Sequence, residues 1–186
     1  MNKLRQRSHI SRLQAWRKPT FKIADKTLLG DIPVGEFLMM SGVAEGSEAA
    51  VEGALRDFAG SQKSTLTRLE ADAAVDEREL LVIATSAAGH VTVVYPFLFD
   101  GWDDASSHLS RTLSKNVLSL HIHDGDLWMH TLFVSGEDVG GFTAVPGYWG
   151  EENEEAAQSG DADLLCRHWP GSVSYTHLTL PTILRV

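Results

Sequence analysis

Two pairs of apolar runs, each pair joined by a short break, constrain this chain more than any other feature. LLVIATSA, about 80–87, is followed by HVTVVYP, 90–96, with Ala88-Gly89 between them. VLSLHIHD, 117–124, is followed by LWMHTLFV, 127–134. Short runs rich in β-branched and aliphatic residues and bounded by turn residues read as strands. Breaks this short return the chain antiparallel to itself. FTAVP, 142–146, comes after a Ser-Gly break and extends the second pair into a meander. GEFLMMSGV, 35–43, supplies an earlier strand, and Thr65, Thr67 and Leu69 mark a short one.

Helical patterns fall between the strands. Ser47 is placed to cap a helix starting at Glu48, on which Val51, Ala54, Leu55 and Phe58 share a face and which Gly60 stops. Asp103 is placed to cap a second, with Ala105, Leu109 and Leu113 inward. A third follows Asp161 and ends at Pro170. Strand, helix, strands, helix, strands implies an α+β fold: two layers, a mainly antiparallel sheet with helices on one face. The order resembles a ferredoxin-like core with added strands.

Both ends stand apart from this domain. VSYTHLTLPT, from Val173, resembles the translation of a sequencing-library adapter, so 173–186 is expected to be a non-native tail and the natural domain to be cut short near Ser172. Residues 1–22 carry seven Lys/Arg and no acid, whereas 40–172 carry seven Lys/Arg against 22 Asp/Glu. Three readings of the basic stretch stay open: upstream sequence before a true start at Met39 or Met40, an arm for an acidic partner, or a targeting segment. The domain is therefore expected over 40–172, with 1–39 an extension.

That acidity argues against general nucleic-acid binding, because phosphate would be repelled. It suits a basic protein partner. Cys166 is the sole cysteine, which excludes an intrachain disulfide and fits a reducing cytoplasm. No apolar run approaches the ~18 residues of a membrane-spanning helix. Walker, Rossmann and Gly-x-Ser-x-Gly patterns are absent from the sequence.

HIHDGDLWMH, 121–130, is the one stretch dense in chemistry. Alternate strand residues share a face. A two-residue turn, at Asp124-Gly125 or Gly125-Asp126, would put His121, His123, Trp128 and His130 on one face and Leu120, Ile122, Leu127, Met129 and Phe133 on the core face. His-x-His on a strand spaces two imidazoles about 6–7 Å apart at the backbone, a zinc-ligand spacing. His130 and Asp126 would complete a three- or four-ligand zinc site of the kind that activates water in metal-dependent hydrolases. The alternatives are a binding face or a structural hairpin, since Asp-Gly is a common turn without chemistry. Tyr148 and Trp149, beside the carboxylates of VPGYWGEENEE, are further candidates for meeting a basic partner.

HIHDGDLWM, LFVSGEDVGGF and VPGYWGE resemble an uncharacterised bacterial protein family over roughly residues 80–170. The resemblance implies a bacterial, cytoplasmic, soluble protein and carries no activity. Two functions remain as expectations: a small acidic binding or regulatory protein, immunity-protein-like in type, or a metal-dependent hydrolase using His121, His123 and His130, with zinc as its cofactor.

Overall fold

A computed structural model describes residues 20–24, 37–68, 79–97, 99–125, 127–146, 148 and 160–169. The expected adapter-like tail, Trp149 and Asp126 lie outside them. The elements in chain order are β1 (Thr20–Ala24), β2 (Phe37–Val43), α1 (Glu48–Ser61), β3 (Thr65–Arg68), β4 (Leu80–Thr85), β5 (Val91–Val94), α2 (Trp102–Leu113), β6 (Val117–His123), β7 (Leu127–Val134), β8 (Glu137–Thr143) and α3 (Ala162–His168).

The strands form one eight-stranded sheet in the order β3-β1-β4-β5-β2-β6-β7-β8. From β4 to β8 every neighbouring pair is antiparallel. β1 runs parallel to both β3 and β4. The segment β2-α1-β4-β5-α2-β6, with sheet order β4-β5-β2-β6, has the connectivity of a ferredoxin-like core. β7 and β8 extend it on one side, β1 and β3 on the other. β1 and the first residues of β2 come from the stretch before Met40.

α1 and α2 cover one face of this sheet because each presents a small apolar stripe. Val51, Ala54, Leu55 and Ala59 are buried on α1, and Ala105, Ser106, Leu109 and Ser110 on α2. They close over Met39, Val43, Ile83, Val91, Val93 and Val117. Ser47 caps α1 as its type favours, accepting from Ala50 N at 3.3 Å. α2 corrects one expectation. Its cap is Gly101, with no side-chain bond, and Asp103 lies inside the first turn. Asp103 accepts instead from Ser119 Oγ at 2.5 Å, a bond that ties α2 to β6. The seven-residue α3 is capped by Asp161, which accepts from Leu164 N at 3.0 Å. It lies on the reverse face, where a Cβ on Gly42 would meet the Trp169 ring at 3.1 Å.

The meander corrects a second expectation. Asp124 (φ 52°) and Gly125 (φ 73°) are both left-handed, the pair of conformations that a two-residue hairpin turn uses. Yet pairing resumes at His123↔Leu127, so three residues connect the strands. One extra residue moves every β7 side chain to the other face relative to β6. By contrast, Ser135 (φ 54°) and Gly136 (φ 84°) close Val134↔Glu137 as a true two-residue turn. β8 therefore starts at Glu137, earlier than the Phe142 expected from FTAVP.

Candidate functional site

The register decides which side chains meet. His121 pairs with Met129, Leu120 with His130 and Ile122 with Trp128. His121 and His123 thus point to the helix side, with Ser119, Leu127, Met129 and Phe133. Trp128 and His130 point to the reverse side, with Leu120 and Ile122. The expected single face of His121, His123, Trp128 and His130 does not form, and neither does the expected core face of Leu120, Ile122, Leu127, Met129 and Phe133. Both sets are split by the third loop residue. The ligand set His121, His123 and His130 is divided by the thickness of the sheet. Among the described residues, no group of three or more His, Cys, Asp or Glu side chains is placed to hold a metal ion.

On the helix side, a polar row runs through the core. Ser41 of β2 lies opposite Ser119 of β6. Ser41 Oγ is 2.7 Å from the Tyr95 hydroxyl and 2.6 Å from Ser106 Oγ, and Ser106 Oγ donates to the Trp102 carbonyl at 2.8 Å. These small hydroxyls satisfy one another, as buried polar groups must. Burial drives the Tyr95 phenol far above its ordinary pKa, so it serves as a hydrogen-bonding hydroxyl.

His121 continues the row and breaks its pattern. It is 4% exposed, with its ring centroid 4.2 Å from Trp102. Its Nδ1 is buried with no hydrogen-bond partner among the described residues. Burial, with the His123 imidazole beside it, pushes the His121 pKa down to about 4. A neutral imidazole tolerates this setting, whereas an imidazolium would be a buried and uncompensated charge. Burial also lowers His130 on the reverse side. There, His130, Trp128 and Phe142 stack, with Trp128 and Phe142 centroids 4.6 Å apart.

One ring outward from His121, the row opens to solvent. His123 lies edge-on to His121 at 5.5 Å and to Phe37 at 4.5 Å. Phe37 in turn meets Phe97 at 5.7 Å, and Tyr148 meets His123 at 5.8 Å. Phe97 and Tyr148 are 37% and 41% exposed. This aromatic rim sits where β2 begins, β5 and β6 end and α2 starts. Asp100, Asp104 and Asp124 are all exposed at the same end of the sheet.

Of the six binding candidates, the structure brings His121, His123 and Tyr148 together and sends Trp128 and His130 elsewhere. Sequence reading missed Phe37, Phe97 and the Asp103–Ser119 bond. The alternation Phe37, Met39, Ser41, Val43 was a signal for the first. Nothing local signalled the others, because they depend on which strands become neighbours.

The fold is thus an α+β sheet protein with a ferredoxin-like core. Comparison with protein-family models, with curated proteins and with solved structures finds no match to this chain. No helix among the described residues is long and apolar enough to cross a membrane.

Proposed function

We propose that this protein is a small acidic binding or regulatory module, immunity-protein-like in acting by recognition of another protein rather than by turnover. The surface it uses is the rim of Phe37, Phe97, His123 and Tyr148. One observation carries this reading: two large rings stay more than a third exposed on top of an edge-to-face aromatic cluster. Exposed aromatic groups backed by packed ones are the usual anchors of protein interfaces. The rim needs no rearrangement to be used, because β2 and β6 hold its inner members in register at Phe37↔His123.

A random-peptide display library screened against the immobilised protein tests the reading. Peptides are expected to be enriched by the intact chain and not retained by the Phe97→Ala/Tyr148→Ala double variant. Both substitutions are at exposed positions, so the fold should survive them. Equal retention by both proteins, or no enrichment at all, would refute the assignment.

A further inference from the structure

The rim has a charge as well as a shape. We infer that it takes arginine side chains of a basic partner, seating each guanidinium between an aromatic face and a carboxylate. This inference rests on the reading of the rim given above, and it adds the chemistry of the partner.

Three features of this end of the sheet converge on that ligand. The first is the supply of ring faces. Phe97 and Tyr148 are exposed rings beside a packed histidine and phenylalanine. Aromatic faces attract cations, and the planar guanidinium also stacks on them.

The second is the local charge. Asp100, Asp104 and Asp124 are exposed here, with Asp103 bonded to Ser119 just inside. Among the described residues, Lys63, following α1, and Lys22, paired with Leu80 at the start of β4, are the lysines at this end, and the exposed Glu79 adds a further carboxylate there. The other described cations are elsewhere. Arg56 and Arg68 both reach Glu52 at 2.6 Å, and their hydrogen bonds hold its carboxyl below the ordinary range. Lys115 faces Glu45 at 3.9 Å, Arg111 lies against the Gly136 carbonyl, and Arg167 donates to its own helix. The aromatic rim and the unbalanced carboxylates therefore coincide.

The third is what lies beneath. His121 is packed one ring below His123, and its buried Nδ1 lacks a partner among the described residues. An imidazolium here would be a buried charge, so the ring stays neutral and the floor of the rim adds no positive charge against the carboxylates. Guanidinium, with five N–H donors and no acceptor, complements such an acceptor-rich surface.

The test uses the full chain and four labelled probes: octa-arginine, octa-lysine, octa-glutamate and an uncharged Gly-Ser peptide, followed by fluorescence anisotropy at low salt. Octa-arginine is expected to bind several-fold more tightly than octa-lysine, and the other two not to bind. The Asp100→Asn/Asp124→Asn variant should weaken octa-arginine binding roughly tenfold, since it removes two exposed charge contacts. Asparagine keeps Asp124 at ease in its left-handed conformation. Phe97→Leu/Tyr148→Leu should remove the preference for arginine over lysine. Glu137→Gln, at an exposed position on the opposite end of the sheet, should change nothing. Equal binding of both cationic peptides, weakened alike by Glu137→Gln and by the rim variants, would overturn the inference in favour of diffuse charge. Binding of the Gly-Ser peptide as tightly as octa-arginine, lost in the leucine variant, would overturn the arginine assignment while leaving the rim as a recognition surface. Loss of every interaction in the display screen would remove both.

Discussion

His121 and His130 come from neighbouring strands of one hairpin, and they occupy opposite sides of the sheet. His121 is under α2, packed on Trp102 and nearly sealed from solvent. His130 lies on the reverse face in a stack with Trp128 and Phe142. The same residue type has been given two environments by one residue of loop. On the helix-side face of β6 and β7, Val117, Ser119, His121, Leu127 and Phe133 are buried, polar members included, while His123, Met129 and Thr131 are half-buried. The reverse face holds Leu118, Leu120 and Ile122 half-buried, with Leu132 fully buried. Which face becomes the core is therefore set by where the helices pack, and not by which face is more aliphatic.

The largest expected effect tests that contrast in stability. Phe133→Ala on the helix side should cost about 3–4 kcal/mol, as a large-to-small change in a packed core does. Ile122→Ala on the reverse face should cost about 1–2 kcal/mol, since its site is partly solvated. Urea denaturation of both variants measures the difference, and equal costs would mean the two faces are equally packed.

Acid should separate the histidines next. The folded-state pKa of His121 is about 4, below the ordinary 6.5. Between those values the unfolded chain binds the proton and the folded chain does not, so stability falls as the pH drops through that window and is fully present above it. Each pH unit of that depression is worth about 1.4 kcal/mol, for a total on the order of 3 kcal/mol. His130 contributes in the same direction. Unfolding free energies across pH 4–7 should show the slope. His121→Leu should flatten most of it and His130→Leu less.

At neutral pH His121→Leu should also stabilise the fold by about 1 kcal/mol, because it removes a buried ring nitrogen that has no partner among the described residues. A loss of stability would instead mean that Nδ1 is satisfied in solution. The smallest effect belongs to Trp128. At 45% exposure it loses little on truncation, and Trp128→Ala should cost about 1 kcal/mol or less, with the lost fluorescence being the red-edge, solvent-exposed component.

Much of the fold was legible because local rules and global packing agree there. The periodicity of Val51, Ala54 and Leu55 gave α1, Ser47 and Asp161 capped the helices expected of them, and the order of elements gave the two-layer arrangement. β1 was not legible: TFKIA is short, lies in a basic stretch and acquires its role from parallel partners far along the chain. The candidate site was half legible. HIHDGDLWMH did mark the right hairpin. The face did not follow, because an Asp-Gly pair permits a two-residue turn without enforcing it, and a single residue inverts the result. Phe97 and Asp103 reach the site only through long-range pairing, which no local pattern encodes.

Side-chain proton contacts in the hairpin test the account most directly. Nuclear Overhauser effects measured on the folded protein should connect the His121 ring with Trp102 and the His130 ring with Phe142. Contacts between the His121 and His130 rings, with none from His121 to Trp102, would show a two-residue turn and would contradict the arrangement from which the rim is built.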